Sequence, residues 1–216
     1  MEITVEKNPF LEVIAFECIH SKKISQLVYT EWLSDLISLK SVAPVQYSDE
    51  IRKSIRDLLR FGGYKPAGRG KPSSEYLQKT VESSSLPKID PIIDIGNIVS
   101  YHSGIPISIV DRSRIETPFQ IRIGREGEKY VFNSTGQEID LKGLLCFCDN
   151  TGPCANPVKD SMRSKVTSDT YYTINLLWGA KSLKGQCEKA LHWYNELLSR
   201  LDDGCEIKLV KITGQS

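Results

Sequence analysis

Hydrophobic and polar positions along this chain follow two periods in turn. "PFLEVIAFECI" (9–19) is rich in β-branched and aromatic residues and reads as a strand, whereas "ISQLVYTEWLSDLISL" (24–39) places Leu27, Val28, Leu33, Leu36 and Ile37 at helical spacing. A second helix is expected in "SDEIRKSIRDLLRFGG", capped by Ser48 or Asp49 and ended by the paired glycines. "YKPAGRGKPSSEYL" follows as a loop leading into a short helix with Tyr76 and Leu77.

"PIIDIGNIVSYHSGIPISIVD" (91–111) has sharper punctuation. Asp90 is a good N-cap, Pro91 suits the first helical position, and Gly104 suits the left-handed residue after a helix end, so the helix should run from 91 to 103. Ile92, Ile95, Ile98 and Val99 would form its apolar face, and "IPISIVD" would begin a sheet. Gly96 and Asn97 then lie mid-helix, where glycine costs about 1 kcal/mol relative to alanine. Two accounts offset that cost. Gly96 admits a close neighbour while Asn97 ties down a loop, or both open onto a pocket whose ligand the amide binds.

Beyond 111 the pattern turns to strands: "FQIRIG", "KYVFN", "EIDL", "GLLCFCD" and "YYTINLLW", with "NSTGQ" as a hairpin turn. Between the last two strands lies "NTGPCANPVKDSMRSKVTSDT", a long polar segment of the kind that often carries function, containing Gly152, Asn156, Asp160 and Ser161. "SLKGQCEKALHWYNELLSRLDDG" reads as an amphipathic helix closed by Gly204, and "EIKLVKI" as a last strand. No repeat or linker divides the chain, so one α+β domain over 1–216 is the economical reading.

Composition narrows the classes. With 216 residues, 40% hydrophobic and 25% charged, the chain is long enough to bury a real core, and its net charge of +1 excludes a polycation held to nucleic acid by bulk charge. The opening "MEITVEKNPF" lacks the pattern of a signal peptide and no apolar run reaches a membrane span, so a cytoplasmic protein with no membrane partner is expected. The six cysteines read as reduced thiols. In "CFCDNTGPC" the Cys-x-Cys spacing without a nearby histidine suits two small buried side chains on one strand face better than zinc, and no metal or cofactor is expected.

Charge is nevertheless uneven. From Ile51 to Lys71 seven basic residues, Arg52, Lys53, Arg56, Arg60, Lys65, Arg69 and Lys71, face one acid, Asp57, which leaves the rest of the chain at −5. Arg52, Arg56 and Arg60 recur every fourth residue along one helix stripe, which either meets RNA phosphates, with Tyr64 stacking on a base, or is a solvated face.

The order of "RKSIRDLLRFGGYKPAGRGKPSSEYL", "LPKIDPIIDIGNIVSYHSGIPISIVD", "IRIGREGEKY" and "DNTGPCANPVKDSMRSKVTSDT" resembles the B3/B4 domain of the phenylalanyl-tRNA synthetase beta subunit in free-standing form, over roughly residues 50 to 180. The resemblance implies an α+β fold with sandwich-like mixed and antiparallel sheets flanked by helices. It also implies an editing module that hydrolyses tyrosine wrongly esterified to tRNA, and hence tRNA or aminoacyl-tRNA as partner. The family's Asp-x-Thr-Asn run is kept here at Asp94 and Asn97 with Gly96 at the threonine; its Gly-x-Pro-x-His-x-x-Asp is kept at Gly104, Pro106 and Asp111 with Ser108 at the histidine. Its late glutamate is not evident in "YYTINLLWGA", where Asn175 is the nearest polar residue.

Gly96, Asn97, Gly104, Ser108, Gly152, Asn156, Asp160 and Ser161 are therefore the candidate substrate-binding residues, with Asp160 and Ser161 placed for water or ammonium contact. No Gly-x-Ser-x-Gly elbow or P-loop is present, and no residue is assigned a covalent role. Three functions fit: a deacylase acting in trans on mischarged aminoacyl-tRNA, a non-catalytic tRNA or amino-acid binding module, and a small-molecule hydrolase reusing the pocket.

Overall fold

The computed structural model describes residues 1–37, 42–83, 86 and 88–214. Its strands are β1 (Glu2–Val5), β2 (Leu11–Ile19), β3 (Ile107–Asp111), β4 (Phe119–Ile123), β5 (Lys129–Val131), β6 (Glu138–Asp140), β7 (Leu145–Asp149), β8 (Gly152–Ala155), β9 (Tyr172–Ala180), β10 (Glu206–Leu209) and β11 (Lys211–Thr213). The helices are α1 (Glu31–Ile37), α2 (Asp49–Arg60), α3 (Ser73–Ser83), α4 (Pro91–Ser103) and α5 (Gln186–Leu201). None of the described helices is long and apolar enough to cross a membrane.

Two sheets face each other. The four-stranded sheet runs β10-β2-β9-β3 and is antiparallel throughout, and the five-stranded sheet runs β11-β1-β4-β7-β8, parallel across its first three strands and antiparallel after them. Strand alternation sorts the side chains: Leu11, Val13 and Ala15 of β2 and Ile174, Leu176 and Trp178 of β9 join Ile3, Ile121 and Phe147 in the core between the sheets. Phe16, Cys18 and Leu177 point to the opposite face, where they meet Ile92, Ile95 and Val99 of α4 and Tyr194 and Leu198 of α5. Complete burial of one such aliphatic side chain contributes about 1.5–3 kcal/mol, so α4 is held by packing more than by its intrinsic helix propensity.

Local chemistry places α4 where the punctuation predicts. The Asp90 carboxylate accepts from the Ile92 amide at 3.1 Å, Pro91 occupies the first turn, and Gly104 ends the helix at φ 72°. A side chain at Gly104 would meet Tyr47 and Ile51 within 3 Å, so the residue is glycine for two reasons. The Ser48 hydroxyl accepts from the Ile51 amide at 3.2 Å and starts α2.

Other segments depart from the periodicity. The helix expected over 24–39 is a short 3₁₀ turn at Ile24–Gln26, then extended chain, then α1; Ser38 and Leu39 lie outside the described residues. Leu27 is buried but Val28 is 72% exposed, because Ile24 and Ser25 hydrogen-bond across to Thr170 and Ser168 and hold the chain open. The strand expected over 206–212 divides at Val210 between the two sheets, with β10 pairing β2 and β11 pairing β1. β1, and β8 inside the polar segment, have no counterpart in the periodicity reading. The helix expected from 182 begins at Gln186 and closes at Asp202 rather than Gly204. The 133–137 turn does join β5 to β6, with Gly136 at φ 77°.

Candidate functional site

A cavity of about 320 Å³ opens between the N-terminal half of α4, the outer strand β3 and the polar segment after β8. Ile89, Ile93 and Asn97, four residues apart, line the α4 side; Ile107 and Ile109, alternate residues of β3, line the sheet side. Asn156, Val158, Lys159, Asp160, Lys165 and Val166 form the wall contributed by the polar segment, and Ser73 adds the start of α3. The Asp94 carboxylate secures the entrance by accepting from the Ile89 amide at 3.1 Å and from the Tyr29 hydroxyl, which anchors the segment ahead of α4.

Asn97 is half-buried and its side-chain amide has no hydrogen-bond partner among the described residues, so donors and acceptor remain available to a guest. Its neighbour Gly96 has a different role. A Cβ there would stand 2.6 Å from Ile109 Cδ1 and 3.1 Å from Tyr194 Oη, so the glycine admits strand and helix side chains and does not line the cavity.

Asp160 is the charged acceptor of the wall. The Ser108 hydroxyl donates to its Oδ1 at 2.7 Å and the Asn156 amide at 3.1 Å, while Trp178 Nε1 donates to Ser108 Oγ at 2.9 Å behind it. Burial pushes the Asp160 carboxyl up to about 6, against those donors and the positive charge of Lys165. Lys165 is anchored by donating to the Phe132 carbonyl at 2.6 Å.

Asn156 fixes the shape of this wall. Its Oδ1 accepts from the Val158 and Lys159 amides, both at 2.8 Å, and its Nδ2 donates to the Tyr130 hydroxyl, which donates to the Lys159 carbonyl at 2.6 Å. The side chain expected to touch a substrate is thus engaged in holding the loop. Ser108 is likewise a support: it is buried, lies behind Asp160 and does not line the cavity.

Gly104, Gly152 and Ser161 stand outside the cavity. Gly152 begins β8, where its amide donates to Asp149 at 3.1 Å and its carbonyl accepts from Arg163 at 2.8 Å. Burial alone would raise the Asp149 carboxyl, but Arg163 and Thr151 hold it at about 2. Ser161 is buried, with its amide on the Cys154 carbonyl and its hydroxyl accepting from the Arg163 amide at 3.3 Å. Asn175 is fully buried on the α5 side of β9, accepting from the Tyr194 hydroxyl and donating to Thr173 Oγ1, both at 3.0 Å. Among the described residues no cluster of three or more His, Cys, Asp or Glu is placed to hold a metal; Cys146, Cys148 and Cys154 are buried.

The basic stripe of α2 is largely paired. Arg56 makes a two-pronged ion pair with Glu75 of α3, at 2.6 and 2.5 Å, and so serves as a strut between helices; Arg52 pairs with Asp49 and Arg60 with Asp57. Asp49 and Asp57 stand three residues ahead of Arg52 and Arg60, a signal available in the sequence, whereas the partner of Arg56 comes from another helix. Lys65 and Arg69 are exposed and line a second hollow of about 590 Å³ with Tyr64, Phe132 and the carboxylates Glu138 and Asp140, while Lys71 is half-buried and lines neither hollow.

Lys159 lines both hollows. Its ammonium sits 4.0 Å from the centroid of Phe132, and burial together with the Arg69 charge lowers its pKa from the ordinary lysine value. Lys159 is not among the residues that the sequence singles out. Ser73, Lys165 and the aliphatic walls were missed, since pairing across the fold decides which residues of a polar loop face inward.

Comparison with known proteins bears on this geometry. Residues 65–177, which include β3, β8 and α4, match the B3/4 domain family. The phenylalanine--tRNA ligase beta subunit of Haemophilus influenzae (strain ATCC 51907 / DSM 11121 / KW20 / Rd) is 28% identical over 120 residues, 52% of this chain and 15% of that protein. That of Pasteurella multocida (strain Pm70) is 31% identical over 85 residues, 39% of this chain and 11% of that protein. The chain thus spans well under a fifth of these relatives. A crystal structure of an N-terminal fragment of the phenylalanyl-tRNA synthetase beta-subunit from Pyrococcus horikoshii aligns with 99% of this chain and 51% of that one, at a TM-score of 0.55 and 14% identity, which establishes a shared fold. With the match covering just over half of the sequence and the fold in agreement, the chain belongs to the B3/4 domain family.

Proposed function

We propose that the protein receives the aminoacyl group of a mischarged tRNA in the 320 Å³ cavity and hydrolyses its ester in trans. The observation that carries this reading is Lys159. It lines both an amino-acid-sized hollow and a groove that bears Lys65, Arg69 and the ring of Phe132 beside Glu138 and Asp140, an arrangement that suits an acyl group continuous with a terminal nucleotide.

The roles follow from the chemistry of the wall. Asp160, with its pKa near 6, is mostly ionised at neutral pH yet basic enough to take a proton from a water molecule as that water attacks the ester carbonyl. The Asn97 amide and the Lys159 ammonium supply donors for the charge that develops on the carbonyl oxygen. The proton held on Asp160 then passes to the departing ribose oxygen, which yields free amino acid and uncharged tRNA. Ser108 and Asn156 keep Asp160 in place.

One observation favours binding without turnover. Ser108, at the family's histidine position, and Asn175, the polar residue nearest the place of its late glutamate, both stand outside the cavity, which leaves Asp160 as its one carboxylate among the described residues. A single assay separates the two readings: purified protein is incubated with a panel of mischarged tRNAs and release of amino acid is measured. Deacylation that falls at least 100-fold in Asp160→Asn, and that in wild type rises with pH to a plateau above about 6, supports the reading. In Lys65→Glu with Arg69→Glu, tRNA affinity and its salt dependence should fall together. Salt-dependent tRNA binding with no release establishes the binding module; turnover of a small ester that ignores the charge reversals establishes a small-molecule hydrolase.

A further inference from the structure

Resting on the reading that the cavity receives an aminoacyl group, we infer that the amino acid selected has an unfunctionalised apolar side chain, and that a hydroxyl on that side chain is selected against. The side chains of Ile89, Ile93, Ile107, Ile109, Val158 and Val166 come from three separate stretches of chain and carry only aliphatic carbon. The polar groups are confined to Asn97, to Ser73 and to the Asn156–Lys165 segment, where Asn156 is already engaged by its own loop.

Two buried polar side chains outside the hollow, Ser108 and Asn175, are already engaged by the protein. Ser108 lies behind Asp160 with its hydroxyl shared between Trp178 and the carboxylate, and Asn175 faces α5, bound to Tyr194 and Thr173. With Asn97 and Asp160 meeting the reacting ester and its water, a side-chain hydroxyl carried among the isoleucines, away from Ser73 and the Asn156–Lys165 wall, would exchange its hydration for no partner. Size does not make the choice, since a hollow of about 150 Å³ already holds benzene and this one is about 320 Å³. Polarity decides instead.

A hydrophobic site discriminates modestly against an isostere that adds only a hydroxyl, by roughly 100-fold at most. Valine and threonine are the informative pair because their shapes match. Dissociation constants of L-valinamide and L-threoninamide are measured on the whole protein by titration calorimetry at pH 7.5, with L-phenylalaninamide and L-tyrosinamide as a second pair. Valinamide and phenylalaninamide should each bind roughly 10- to 100-fold more tightly than the hydroxylated partner. Val166→Thr and Ile107→Thr keep the β-branched shape but place a hydroxyl in the wall, and each should narrow the valine to threonine ratio. Equal affinities, preference for the hydroxylated members, or no binding of any amide would overturn the inference. The apolar preference in a protein that leaves every charged tRNA intact would uphold the specificity and remove only the hydrolytic reading.

Discussion

Replacing Asp160 by asparagine should stabilise the protein while removing the proposed function. Asparagine retains an oxygen that can accept from Ser108 Oγ and the Asn156 amide, now at 2.7 and 3.1 Å, so the wall keeps its hydrogen bonds and loses only the charge. Burial raises this carboxyl from 3.8 to about 6, which means that the folded protein favours the protonated form more strongly than the unfolded chain does. The resulting contribution to stability is complete below about pH 3.8 and is lost as pH rises through about 6. At 1.36 kcal/mol for each tenfold change in proton affinity, ionised Asp160 costs the folded state about 3 kcal/mol by pH 8.

Chemical denaturation of wild type and Asp160→Asn between pH 4.5 and 8 measures this directly. The variant should be the more stable at pH 8, and its advantage should grow by about 2 kcal/mol across the range, equivalent to roughly 4–8 °C in melting temperature for a chain of this length. Charge held at a cost to stability is what a functional carboxylate would show. A stability difference independent of pH, or a wild type more stable than the variant at pH 8, would refute the reasoning, because the carboxylate would then be supported as a structural ion.

Two further substitutions probe the frame of the cavity. Gly96→Ala gains about 1 kcal/mol of helix propensity but must displace Ile109 Cδ1, now 2.6 Å from the new Cβ position, so stability should change by less than about 1 kcal/mol while valinamide affinity falls; unchanged affinity in calorimetry would separate Gly96 from the site. Arg56→Ala leaves Glu75, only 9% exposed, without its two-pronged partner and should cost about 2–4 kcal/mol in urea unfolding, with much of the loss recovered in Arg56→Ala/Glu75→Gln.

The sequence by itself determined those features that short-range chemistry controls. Asp90, Pro91 and Gly104 set the ends of α4 because capping and backbone conformation involve residues within a turn of one another, and the nearly continuous apolar run in "YYTINLLW" marked β9 because both of its faces are buried. The order of motifs located the family. Tertiary structure decided the rest. It turned Asn97 into the cavity and Gly96 against Ile109, set Ser108 behind Asp160, engaged Asn156 within its own loop, paired Arg56 with Glu75 and divided 206–212 between two sheets. Apart from the acceptor bonds of Asn156, which reach amides two and three residues on, those outcomes depend on a partner brought alongside by folding, often from tens of residues away. Periodicity reports which face of an element is buried, and cannot report what it is buried against.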